Sequence, residues 1–93
     1  MDDWAMGETD WARAVVSELG LRQYRPGSFA SHMVRAALAA DLGNLARIGE
    51  GFPHLHRVLR DWQTYGPDYL LAVASGDDEA IIAAYEAYTE RVS

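Results

Sequence analysis

FASHMVRAALAA, residues 29–40, is the stretch on which the fold turns. On a helix of 3.6 residues per turn, Phe29, Met33, Ala36, Ala37 and Ala40 share one face, which Ala30, Val34 and Leu38 widen. Only Ser31, His32 and Arg35 remain as a polar edge. A helix apolar over more than half its circumference is ordinarily covered by several neighbours. Its alanines also let other backbones come close. The stretch therefore predicts a central apolar helix (29–40) in an all-α protein, a compact bundle of about five to six short helices. Ser28 is expected as its N-cap, and Asp41 as both its stop and the cap of the next helix.

The flanking chain reads as helices of the same short kind. Residues 1–8, MDDWAMGE, look like a poorly ordered lead unless Trp4 docks on the bundle. The first helix starts at Thr9 or Asp10 and runs to Leu19, with Trp11, Ala12, Val15, Val16 and Leu19 as its stripe and Gly20 after its end. Pro26-Gly27 marks the loop before the central helix. A third helix, 42–50, carries Leu42, Leu45 and Ile48 but is weakened by glycines. The fourth, 53–65, is the clearest amphipath, with Leu55, Val58, Leu59, Trp62 and Tyr65 on one side and Pro53 at its first position. Gly66-Pro67 separates it from the fifth, 67–75. The sixth, 78–92, opens on acids and closes on Arg91, and Ile81, Tyr85, Tyr88 and Val92 form its expected core stripe. Met33, Ala37, Leu38, Leu59, Trp62, Ile81 and Tyr85 are the expected core, and a buried Trp62 would lose about 3–5 kcal/mol on truncation to alanine. Residues 38–48 and 73–85 echo each other as helix end, acidic cap and new helix. Reused capping chemistry accounts for the echo without a true repeat.

Ninety-three residues make a single domain, 1–93, and an apolar fraction of 49% with ten aromatic residues suits a packed globule. There is no cysteine, the start MDDW lacks an apolar leader core, and no apolar run approaches a membrane span. These features together suggest a cytoplasmic protein. The net charge of −6 is unevenly spread. Residues 1–20 carry five acids and one base, 21–60 carry six arginines and two acids, and 61–93 carry seven acids and one arginine. Overall acidity disfavours anionic membranes and nucleic acid, while the basic middle segment keeps a local anion site open.

Chemistry-bearing residues are few. His54 and His56, two apart on a helix, point about 200° away from each other, so they are a poor metal pair. No HExxH motif, nucleophile elbow or phosphate loop is present. His32 at the polar edge reads as a boundary residue satisfied by a carbonyl or carboxylate rather than as a catalytic or phosphate-accepting group. Asp77 and Asp78 read as helix-cap chemistry. No metal, no cofactor and no enzymatic activity are expected. Residues 36–60 lack the turn and basic second helix that DNA-binding helix pairs need. The fourth helix does present a polar face of His56, Arg57, Arg60, Gln63 and Thr64 that could meet phosphate or an acidic protein. The sixth presents Glu79, Glu86 and Glu90 flanked by Ala80, Ala83 and Ala87. Alanines on an otherwise exposed helix suggest that a second surface packs there.

The run F-x-x-H-M-V-x-A-x-L-x-A-D-x-x-N-L-A-R-I-x-x-G-F-P, Phe29 to Pro53, resembles a pattern of small uncharacterised helical proteins of actinobacteria and their phages. It covers about a quarter of the chain. The resemblance implies a stand-alone helical protein encoded by a phage or mobile element, and it implies no activity and no site residues. The expectation is an interaction or regulatory protein acting on a host protein or on another copy of itself. His56, Arg57, Arg60, Glu79, Ala83, Glu86 and Glu90 are the candidate contacts. Nucleic-acid binding through the basic middle is the alternative. If the two charged faces lie side by side in one molecule they form ordinary surface ion pairs. If they lie apart, two copies could meet through them as a dimer.

Overall fold

A helix begins where its free N–H groups find partners and ends where its free carbonyls do. The computed structural model describes residues 6–92, and such local chemistry sets six helices along them. They are α1 (Glu8–Glu18), α2 (Ser28–Ala39), α3 (Leu42–Gly51), α4 (Pro53–Tyr65), α5 (Pro67–Ser75) and α6 (Asp78–Val92). No strand occurs among the described residues. Asp41 Oδ1 accepts the Asn44 N–H at 2.8 Å and caps α3. Asp77 Oδ1 accepts the Glu79 N–H at 3.0 Å ahead of α6, so the echo between 38–48 and 73–85 is one of capping. Pro53 and Pro67 start α4 and α5, where a missing N–H costs nothing. Gly66 is the single residue between those two helices, at a φ of +92° that favours glycine. Behind α1, the Gly20 N–H bonds Ser17 O at 3.2 Å and the Leu21 N–H bonds Val16 O at 3.1 Å, the paired closure of a Schellman motif.

Two boundaries differ from expectation by a residue or two. Gly27, not Ser28, is the N-cap of α2, and Ser28 becomes its first helical residue with no side-chain cap bond. α1 begins at Glu8 with Gly7 as its cap, and Met6 packs against the core, so residues 6–8 belong to the fold rather than to a lead. Trp4 lies outside the described residues.

The largest departure concerns which helix is central. α2 reaches the core through Ala30, Val34 and Ala37, but Ala36 and Leu38 are exposed, Leu38 at 39%. The most deeply enclosed element is α1, whose Trp11, Ala12, Ala14, Val15 and Val16 are all buried and which packs against α2, α4 and α5. Those five residues spread over more than half the helix circumference. Arg13 interrupts the apolar pattern of α1 in the sequence, yet it does not turn the helix towards water. Its Nε donates to Ala74 O at 2.7 Å, near the carbonyl end of α5, and its guanidinium lies 5.5 Å from the Tyr24 ring centre. Ser17 ties down the same loop, because its Oγ accepts the Tyr24 N–H at 3.0 Å.

Leu55, Val58 and Leu59 of α4 and Leu70, Ala72 and Ala74 of α5 complete the buried set. Phe52, between α3 and α4, stacks edge-on against Trp11 with centroids 5.9 Å apart and lies 5.8 Å from Phe29. That ring joins the starts of α1 and α2, while Arg35 Nε pairs with Glu18 at 3.0 Å farther along both. The two helices thus run alongside each other in the same general sense, which the long connection 19–27 permits.

α3 and α6 contribute no fully buried residue. α6 lies along α5, and of its expected core stripe Ile81 and Tyr88 are half-buried, Tyr85 is 48% exposed and Val92 is 64% exposed. Met33 and Trp62 are also half-buried. Because Trp62 keeps part of its surface in water, Trp62→Ala should lose about 1–3 kcal/mol, short of the ~3–5 kcal/mol of a fully enclosed indole. Urea titration gives the comparison; a loss matching that of a buried indole would contradict the observed exposure.

Candidate interaction surfaces

The histidines do not assemble into a site. His32 is exposed on α2 and makes no hydrogen bond to the described residues, so the carbonyl or carboxylate partner expected for it is not there. His54 is exposed as well. His56 turns aside from the basic face of α4, and its ring packs so closely on Gly49 that a Cβ there would stand 2.9 Å from His56 Cδ2. Among the described residues no group of three or more histidines, cysteines or acids could hold a metal ion.

Arg57 and Arg60 stand on the solvent side of α4, near the start and middle of its exposed face. Arg57 Nε pairs with Glu8 Oε1 at 3.4 Å, and its side chain remains mostly in water. Such a pair adds little stability, ~0–1 kcal/mol, but it holds the arginine beside α1. Arg60 has no ion-pair partner among the described residues; its carbonyl accepts the Thr64 hydroxyl at 3.0 Å.

Beside Arg57 lies a feature that the sequence concealed. Glu8 of α1, Val58, Asp61 and Trp62 of α4, and Tyr69, Leu70 and Val73 of α5 line a cleft of about 20 Å³, room for a single water-sized group. Its residues come from three helices, so no spacing within one helix announces it. Two carboxylates above an apolar floor favour positive over negative charge there.

The Tyr69 hydroxyl feels the same surroundings. Burial, then the charges of Asp61, Tyr65 and Glu8, raise its pKa above the ordinary 10.0, and Arg57 partly opposes them. Folding therefore favours the protonated phenol. That contribution is intact below pH about 10 and is lost as pH rises through the raised value. Tyr69→Phe should accordingly lessen the alkaline fall in stability, and Asp61→Asn should move the Tyr69 transition back towards the ordinary value. Denaturation midpoints and tyrosinate absorbance followed with pH check both, and an unchanged transition in Asp61→Asn would remove Asp61 as a cause.

α6 is the element with most unused surface. Glu79, Glu86 and Glu90 form one stripe, as the helical period requires, and all three are exposed. Along one side of the stripe run Ile82, 56% exposed, Tyr85 and Val92. Along the other lie Ala83 and Ala87, also exposed, whereas Ala80 is half-buried. The second surface expected over these alanines is not supplied by the described part of the chain.

α4 touches α6 at its last residue, where the Tyr65 ring lies 5.7 Å from Tyr85 and 4.9 Å from Tyr88, with Tyr69 at 4.7 Å completing the cluster. Among the described residues Arg57 of α4 pairs with Glu8 of α1, and no ion pair joins Arg57 or Arg60 to Glu79 or Glu86. The candidate residues are thus brought onto two faces that adjoin at the tyrosines, with no ion pair between the α4 arginines and Glu79 or Glu86. No protein-family model, curated protein or solved structure matches this chain, and the chemistry of these two faces is what a functional reading has to stand on.

Proposed function

We propose that this protein acts by binding another protein through the solvent side of α6, as a small interaction or regulatory protein of the cytoplasm. The observation that carries this reading is α6 itself. It is the longest helix, with 15 residues, has none fully buried, and exposes Ile82, Tyr85 and Val92 in line beside an acidic stripe. A helix that long gains little from covering α5 alone, and apolar side chains rimmed by charge are the ordinary make-up of a docking face. No helix of the described residues is long and apolar enough to cross a membrane. Catalysis has no part in the reading, and a phage-encoded protein directed at a host protein is the biological setting that suits it.

A photo-crosslinking residue placed at position 82, in cells that express the protein, tests this. A discrete adduct is expected from position 82 and none from position 23 in the exposed loop after α1. Absence of any adduct at 82, with the protein folded and abundant, refutes the reading. Nucleic acid as the partner has less support, because Arg57 is already held by Glu8 and the cleft beside it carries two carboxylates. Binding to duplex DNA should therefore be weak and should vanish as salt approaches the physiological range. Retention of a specific duplex under those conditions, abolished by Arg57→Ala with Arg60→Ala, would favour that alternative.

A further inference from the structure

We infer that the face α6 offers is filled by a basic amphipathic helix of another protein. This rests on the reading of α6 as a docking face and names the chemistry of its occupant. Spacing along α6 is the first argument. Ile81, Ala84 and Tyr88 are half-buried where α6 lies along α5. One residue on, Ile82, Tyr85, Thr89 and Val92 repeat the same alternation of three and four residues, and Ile82, Tyr85 and Val92 are exposed. Such steps form the seam by which one helix meets another. α6 thus carries two seams side by side, and the second runs about 15 Å with its apolar side chains in water. Thr89, its polar member, donates its hydroxyl to Glu86 O at 2.8 Å and needs no partner across the seam.

Charge is the second argument. Glu79 and Glu86 flank the seam one heptad apart, about 10.5 Å along the axis, and neither has an ion-pair partner among the described residues. Residues 61–93 together carry seven acids and one arginine. Such a face repels nucleic acid and anionic lipid, and α6 of a second copy would bring the same acids against it. A helix with apolar residues at heptad spacing, and lysine or arginine one heptad apart beside them, answers both features. Its apolar side chains fill the seam, and its cations meet Glu79 and Glu86. The apolar contact supplies most of the affinity, while the charges select the partner and its register.

Synthetic peptides of about 20 residues, titrated calorimetrically into the full chain, test the pairing. The first has leucine at the heptad core positions and arginine at the flanking ones. The second replaces each arginine by glutamate, and the third has the composition of the first in scrambled order. The first should bind wild type with a micromolar Kd, and the other two at least about tenfold more weakly. Ile82→Ser should weaken the first peptide by about tenfold, and Glu86→Gln by about threefold at low salt. Both substitutions are at exposed positions, and far-UV circular dichroism confirms that they leave the fold unchanged.

No binding of the first peptide overturns the inference. Equal binding of the scrambled peptide also overturns it, since charge alone would then suffice, as does an Ile82→Ser variant that binds undiminished. The position-82 adduct tells the two levels apart. A crosslinked segment that is basic and apolar at heptad spacing supports the inference. A segment without that pattern, or a second copy of this chain, overturns it while leaving α6 as a docking face, and no adduct removes both.

Discussion

Trp11→Ala should lose about 3–5 kcal/mol of stability, the largest single effect expected in this chain. A domain of 93 residues has a stability of about 5–14 kcal/mol, so the loss approaches or exceeds half of it near the lower end. Trp11 has a relative exposure of 1%, sits on the helix packed against α2, α4 and α5, and lies edge-to-face with Phe52 at 5.9 Å. Truncation leaves a void that backbone alanines at 12 and 14 cannot fill, because α1 already packs closely through them. The lost indole also releases Phe52, the ring that joins α1, α2 and the α3–α4 junction. Urea unfolding gives the number directly. A loss below about 1 kcal/mol would place Trp11 at the surface and remove α1 from the centre of the fold.

Leu55→Ala is the second large effect, at about 2–5 kcal/mol. Leu55 is fully enclosed on α4, and its removal leaves an apolar cavity in the cluster shared by α1, α2, α4 and α5. Leu42→Ala provides the control with the same change of side chain. Leu42 is 86% exposed at the first position of α3, and its truncation should change stability by less than about 0.5 kcal/mol. The two substitutions delete identical atoms, so the ratio of their effects isolates burial from chemistry. Equal losses would contradict the placement of either residue.

The apolar pattern in the sequence named the right residues on α4. Leu55, Val58 and Leu59 are buried there, and Arg57 and Arg60 face water. The same reasoning on α6 put Tyr85 and Val92 inside, yet both are exposed. The difference is the number of neighbours. A helical wheel orders residues around an axis but does not say how much of the circumference is covered, and α6 is covered mainly by α5. For α2 the error has the same origin, since eight apolar residues share its broad face but only Ala30, Val34 and Ala37 are buried. The cleft lined by Glu8, Asp61 and Tyr69 was beyond any reading of one segment, because it exists only where three helices converge.

Helix limits, by contrast, are local matters. Asp41, Pro53, the Gly66-Pro67 pair and Gly76 act on backbone groups within a few residues of themselves, so the chain itself determined where α3 to α6 begin and end to within a residue or two. It also determined that the protein is all-α and that its charge is split between a basic middle and an acidic end. Only tertiary structure decided that α1 lies innermost. Arg13 reads as a polar interruption until the Ala74 carbonyl and the Tyr24 ring are brought to it from distant parts of the chain. A charge can be drawn into a fold when its partners arrive with it, and those partners are set by packing rather than by spacing along one helix.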